Sequence, residues 1–231
     1  HKFNTYDDGI TGDGFDNAVR TLNIQSDGNL IVGGDYLNFN GKPISYLSRL
    51  QKDGTVDSAF NTGTGFNGKI YTSCIQSDGK IILGGNFTGF NGESIGRLIR
   101  LNNDGSPDID FNTTTAAGNG IIYQIAQQTD GKIIIAGSFT TYNGTTVNRI
   151  ARILSNGSLD SSFSTGSGTS ANITNIEIQP DGKIILAGNF IAFNGVSANR
   201  IIRLNPDGTS DTSFNSGSGF NDDCAALILQ D

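Results

Sequence analysis

The chain has 231 residues, with 32 glycines, four prolines, no methionine and a single histidine, and its 15 basic against 22 acidic residues give a net charge of −7. That balance disfavours nucleic acid and anionic membrane surfaces, where Lys and Arg contacts carry the affinity, and no run approaches the ~18 apolar residues of a membrane span. With His1 at the terminus as the only imidazole, Ser–His–Asp and Cys–His nucleophiles and His-based zinc sites are excluded.

The first recognisable piece is Phe3-Asn4-Thr5, which matches Phe60-Asn61-Thr62 further on. A full unit follows. Residues 19–25 read as a strand, here called a, and run into the turn Gln25-Ser26-Asp27-Gly28. Residues 30–36 form an apolar run, b, whose continuity means both faces are covered. It ends in Gly33-Gly34, where missing side chains let another backbone come close. Phe39-Asn40-Gly41 then reads as a type I′ turn, since Asn-Gly tolerates positive φ. Strand c carries Arg49, a second turn falls at Asp53-Gly54, and a short strand d from Asp57 to Phe60 closes the unit. A Gly/Ser/Thr/Asn segment, 61–69, leads on.

The whole pattern then recurs. Strand a returns at 70–76, 122–128, 173–179 and 224–230. The turn aspartates Asp27, Asp78, Asp130 and Asp181 are 51, 52 and 51 residues apart. The aromatic turns recur as Phe90-Asn91-Gly92, Tyr142-Asn143-Gly144 and Phe193-Asn194-Gly195, and the strand-c arginine as Arg100, Arg152 and Arg203. The second turn becomes Asp104-Gly105, Asn156-Gly157 and Asp207-Gly208, and d runs from Asp108 to Phe111, Asp160 to Phe163 and Asp211 to Phe214. Four-stranded antiparallel units at this period, with no stretch of helical pattern, predict an all-β fold: a β-propeller with four complete repeats of about 51 residues. The repeats fall at 17–67, 68–118, 119–169 and 170–221, with partial repeats 1–16 and 222–231, in a single propeller domain or segment.

Gln-x-Asp-Gly-Lys-Ile-Ile, Gly-Gly-Asn-Phe, Phe-Asn-Gly and Arg-Leu/Ile-x-x-Asp-Gly-x-x-Asp-x-x-Phe together resemble the delta-60 repeat family, a β-propeller repeat of unassigned biochemical function. The resemblance spans nearly the whole chain and implies a bacterial surface or secreted protein, or a phage structural protein. It implies no activity, because propellers serve unrelated tasks.

The partial repeats leave two readings: a fragment of a larger propeller, which is favoured and fits the lack of methionine, or a four- or five-bladed ring. A spare inner strand at 224–230 must pair somewhere. Residues 3–5 or 18–25 are the partners within the chain, and edge-to-edge self-association is the alternative.

The candidate site residues divide in two. Arg49 with Asp57, Arg100 with Asp108, Arg152 with Asp160 and Arg203 with Asp211 keep a fixed spacing, which predicts structural ion pairs between c and d. The b–c and d–a loops share one end of every unit. There Phe39, Phe90, Tyr142 and Phe193, with Asn91, Asn143 and Asn194, suit a sugar or protein ligand: a ring covers an apolar face and an amide reads hydroxyls. The competing reading is that each ring plugs its own turn. Lys42, Pro43 and Tyr46 break the repeat, Tyr46 standing where the others have Arg97, Arg149 and Arg200, so they are specificity candidates.

The only glutamates are Glu93, in a loop, and Glu177, on an inner strand, a thin basis for paired-carboxylate hydrolysis. Cys74 and Cys224 occupy different slots of strand a and read as buried free thiols. No cofactor is expected. Calcium at the Asp/Asn-rich turns is the metal that stays open, although no spacing matches an EF-hand or the nonapeptide calcium repeat. The leading function is a non-enzymatic binding or structural module, extracellular, on a cell surface or in a virion, contacting protein or glycan through the loop face. The alternatives are a carbohydrate-active enzyme using carboxylates at the channel mouth and a purely architectural assembly segment.

Overall fold

The computed structural model describes residues 14–111, 118–222, 224 and 226–229. The strands of the first repeat are β1 (Val19–Ile24), β2 (Leu30–Gly34), β3 (Asn38–Phe39), β4 (Lys42–Pro43) and β5 (Leu47–Leu50). The second has β6 (Ile70–Ile75), β7 (Ile81–Gly85), β8 (Gly89–Phe90), β9 (Glu93–Ser94) and β10 (Leu98–Leu101). The third has β11 (Ile122–Gln127), β12 (Ile133–Gly137), β13 (Thr141–Tyr142), β14 (Thr145–Thr146) and β15 (Ile150–Ile153). The fourth has β16 (Ile173–Ile178), β17 (Ile184–Gly188), β18 (Ala192–Phe193), β19 (Val196–Ser197) and β20 (Ile201–Leu204). Among the described residues there is no helix, hence none long and apolar enough to cross a membrane. The chain forms two compact units, His1–Ile109 and Asp110–Asp231, each holding two repeats.

Every repeat is an antiparallel meander. Its inner, middle and third strands pair in the order β1-β2-β5, β6-β7-β10, β11-β12-β15 and β16-β17-β20, and a two-stranded hairpin interrupts the path between the middle and third strands. The middle strands are buried on both faces, which their unbroken apolar runs require. Their final glycines have a steric reason. A Cβ at Gly34, Gly85, Gly137 or Gly188 would run into the carbonyl oxygen of Ala18, Lys69, Ile121 or Asn172. Each of those carbonyls accepts the next N–H along, such as that of Asp35 at 2.8 Å and Ser138 at 2.9 Å. Beside the glycine each inner strand is bulged, skipping Arg20, Tyr71, Tyr123 and Thr174.

Two expectations about strands need correction. The fourth strand is a single bridge in each repeat: Leu50 to Val56, Leu101 to Pro107, Ile153 to Leu159 and Leu204 to Ser210. The Asp-x-x-Phe segment is a turn. Asp57 Oδ1 accepts the Ala59 N–H at 2.9 Å and its carbonyl accepts from Phe60 at 3.2 Å, which curls the chain off the sheet edge. Likewise, the described residues among 224–230 form no strand. Each of the four inner strands is laddered to its own middle strand; Cys224 and 226–229 have no such ladder among the described residues. The expectations placed on residues 3–5 lie outside the described residues.

In the first unit, Ile31 and Leu47 pack with Ile70, Ile81, Leu83 and Phe87, while Val32, Tyr36, Phe39 and Leu50 form a second cluster. In the second unit, Ile134, Ala136 and Ile150 pack with Ile173, Ile176, Ile184 and Phe190. Within each unit one repeat thus covers the face of the next, so a lone sheet would be marginal.

Candidate functional site

The loop end of each repeat is built on a two-residue hairpin. Asn40, Asn91, Asn143 and Asn194 take φ of 49°, 51°, 45° and 50°, followed by glycines at 70–80°, as a type I′ turn needs. The ring before each turn points inward: Phe39, Phe90, Tyr142 and Phe193 are 6, 2, 0 and 1 % exposed. Rings that deep offer no face to a ligand, so the plug reading describes their placement. The Tyr142 hydroxyl donates to the Gly157 carbonyl at 2.6 Å, and burial pushes its ionisation upward.

The turn asparagines are also engaged. Oδ1 of Asn40, Asn91 and Asn194 accepts the N–H of Gly14, Gly65 and Gly168 at 2.6, 3.2 and 2.9 Å. This ties the hairpins of the first, second and fourth repeats to the loops that enter those repeats. Tyr46 is half-buried, with φ of 67°, and packs against the first unit's core. Its counterparts Arg149 and Arg200 share positive φ and are half-buried, donating to the carbonyls of Thr169 at 2.7 Å and Phe220 at 3.3 Å.

A set of anchors escaped the sequence reading. Asp16 Oδ1 accepts the N–H groups of Leu37 and Asn38 at 2.9 and 3.0 Å. Asn67 does the same for Thr88 and Gly89, both at 2.8 Å, and Asn119 for Thr140 and Thr141 at 2.7 and 3.1 Å. Ser170 Oγ takes the place of the carboxamide for Ile191 and Ala192, both at 3.1 Å. The signal available was a short polar acceptor 21 and 22 residues before the hairpin in every repeat.

The arginine–aspartate spacing corresponds to real contacts. Nε to Oδ2 distances are 2.8 Å for Arg49–Asp57, 2.6 Å for Arg100–Asp108, 2.8 Å for Arg152–Asp160 and 2.7 Å for Arg203–Asp211. Lys80, Lys132 and Lys183 add a second cation at 2.8, 3.3 and 3.0 Å from the same carboxylates. Arg49, Arg152 and Arg203 also stack on Phe60, Phe163 and Phe214 at 4.8–4.9 Å. Burial pushes the Asp160 carboxyl up, but the Ser162 hydroxyl and N–H, Lys132 and Arg152 outweigh it and hold the group well below the usual range. The network joins each arginine to its own turn and, for Arg49 and Arg152, reaches into the repeat that follows.

What remains open at the loop end of each repeat is the outer hairpin strand. Lys42-Pro43, Glu93-Ser94, Thr145-Thr146 and Val196-Ser197 are all exposed. They differ from repeat to repeat on a frame that does not. Beside Glu93 lies a cleft of about 270 Å³ lined by Thr64, Asn67, Thr88 and Ser94. Glu177 is half-buried on β16, and burial raises its carboxyl above the ordinary range. It belongs to the second unit and Glu93 to the first. Neither Cys74 nor Cys224 forms a disulfide, and both are half-buried. Among the described residues no group of three or more His, Cys, Asp or Glu side chains is placed to hold a metal.

A family model described as "Domain of unknown function (DUF5122) beta-propeller" matches residues 25–60, 76–111, 128–163 and 179–214, more than half of the chain. No curated protein matches. Among solved structures, the extracellular domain of a protein named as a hybrid two component system from B. thetaiotaomicron is 19% identical with a TM-score of 0.50, covering 81% of this chain and 20% of its own. A protein of unknown function from Bacteroides caccae is 16% identical, TM-score 0.45, covering 81% and 56%. Virginiamycin B lyase from Staphylococcus aureus is 15% identical, TM-score 0.48, covering 83% and 54%. This chain thus spans about a fifth of the first and about half of the other two.

Proposed function

The chain belongs to the DUF5122 β-propeller family, and on that footing we propose that it is a non-enzymatic binding module whose hairpin tips contact a protein or glycan outside the cell. The carrying observation is the contrast within each hairpin. Its ring, its turn asparagine and its acidic, amide or hydroxyl anchor are committed to the frame, while Lys42, Glu93, Thr145 and Val196 stand exposed and unlike one another. Variable side chains on a fixed frame are the usual construction of a recognition surface. The narrower resemblance to delta-60 repeats supports a place on a bacterial surface or in a virion. The role first considered for the rings and amides passes to these tips.

Catalysis is the weaker reading. A glycosidase needs two carboxyls flanking one bond, and Glu177, with its raised carboxyl, is the single residue that favours it. Glycan and surface-protein arrays run beside a glycosidase panel on one preparation test the choice. Binding without turnover is expected. Turnover abolished by Glu177→Gln would overturn the non-enzymatic reading.

A further inference from the structure

Three departures from the repeat meet at one carboxylate in the first unit. Arg20 stands where the later repeats have Tyr71, Tyr123 and Thr174. Asp35 stands where they have Asn86, Ser138 and Asn189, and Lys69 where the others have Ala18, Ile121 and Asn172. Arg20 Nε donates to Asp35 Oδ1 at 2.6 Å and its Nη2 to Oδ2 at 2.7 Å, a two-point pair. Lys69 Nζ donates to the same Oδ2 at 2.8 Å. The guanidinium lies 4.9 Å over the Tyr71 ring. Lys69 and Tyr71 belong to the second repeat, so the cluster joins two consecutive repeats within the unit.

The backbone fixes all three side chains. Arg20 is the residue that the β1 bulge skips, and a bulge re-aims a side chain. The Asp35 N–H donates to the Ala18 carbonyl at 2.8 Å, and the Lys69 carbonyl accepts from Asn86 at 3.1 Å. The Asp35 side chain is 5 % exposed, against 38 % for Arg20 and 43 % for Lys69. One inward carboxylate cannot neutralise two outward cations, so a positive charge stands on a chain of net charge −7. Lys80, Lys132 and Lys183 also share a carboxylate with an arginine, but that pattern recurs from repeat to repeat. The Arg20, Asp35 and Lys69 combination occurs once in its slots, as a site does and a scaffold does not.

Lys69 also ends the segment that walls the cleft beside Glu93. Thr64 and Asn67 line it from that segment, and Thr88 and Ser94 from across. Hydroxyls and an amide match sugar hydroxyls, and the one ring there, Phe66, is 4 % exposed and gives a peptide side chain little to cover. Resting on the recognition surface argued above, we propose that Arg20 and Lys69 form the carboxylate subsite for an acidic glycan, with a neutral sugar beside it in the cleft. Glu93 repels a second acid there, which selects a glycan alternating uronic acid with neutral sugar.

Calorimetric titration of the full chain with a hyaluronan hexasaccharide, and with the same oligosaccharide after carboxyl reduction, is the test. The acidic form should bind at least about tenfold more tightly. Lys69→Gln keeps the Arg20–Asp35 pair and should weaken the acidic form alone, with melting unchanged. Arg20→Tyr, Asp35→Asn and Lys69→Ile together copy the residues at 71, 86 and 121, so the frame accepts them, and they should abolish the preference for the acid. Equal affinity for the two oligosaccharides, no affinity for either, or an acid preference that survives the triple variant overturns the subsite. So does an oligoglutamate peptide that binds more tightly than the hexasaccharide. The glycan and protein arrays judge the hairpin tips separately, so the subsite can fall while that reading stands.

Discussion

Arg152 Nη1 donates to the backbone carbonyl of Pro206, 54 residues on in the next repeat, at 2.6 Å, while its Nε holds Asp160 at 2.8 Å. Arg49 does the same with Asn103, at 2.5 Å, and Asp57. One guanidinium therefore ties its own third strand to the Asp turn and to the following repeat. Arg203 is different. Its Nη1 has Gln179 Oε1 at 3.4 Å, and its side chain is 20 % exposed against 7 % for Arg152.

From this contrast, Arg152→Ala should lower unfolding free energy by about 2–4 kcal/mol, the cost of breaking a buried pair with Lys132 and Ser162 left to hold the carboxylate. Arg203→Ala should cost distinctly less. Urea unfolding of both variants measures the difference, and equal losses would mean that the link to the next repeat contributes nothing.

The same carboxylates set an acid limit. Asp160 ionises below its ordinary 3.8 in the folded chain. Its stabilising effect is therefore complete above that ordinary value and fades as pH falls through it toward the lower folded value. Melting temperature should hold level from neutral pH to about 5 and drop below about 4. Asp160→Asn should lower the plateau and flatten the acid slope. A parent curve that keeps level down to pH ~2 would contradict the assignment.

Asn119 should act as a hairpin anchor. Asn119→Ala removes the acceptor of two backbone N–H groups and should cost about 1–2 kcal/mol, with faster amide exchange at Thr140 and Thr141. Asn119→Asp should retain protection, because Asp16 does the same work in the first repeat. Unchanged exchange in the alanine variant would show that the contact is idle.

These anchors mark where reading the chain stops being possible. Strands and turns were legible because each has a local cause: continuous apolar runs at residues 133–137, the Asn-Gly pair at Asn143-Gly144, and Gly137 where a carbonyl comes close. The Arg152–Asp160 pair was legible because its eight-residue spacing never varies. The anchor was not, since Asp16, Asn67, Asn119 and Ser170 share only an acceptor atom and stand in a segment that looks like loop. Asp-x-x-Phe misled because Asp57 competes for its own backbone, which a count of apolar positions does not register. Burial of Tyr142 was undecidable locally: a ring before a turn looks the same whether it points at solvent or at the core.

The most direct measurement compares array binding of the parent with that of a variant carrying Lys42→Ala, Glu93→Ala, Thr145→Ala and Val196→Ala together. All four positions are exposed, so each change should shift stability by no more than about 0.5 kcal/mol. The predicted result is a bound glycan or protein for the parent and loss of that binding in the variant, with melting intact. Binding that survives all four substitutions, or no binding by the parent to any probe, would contradict the hairpin tips as the recognition residues.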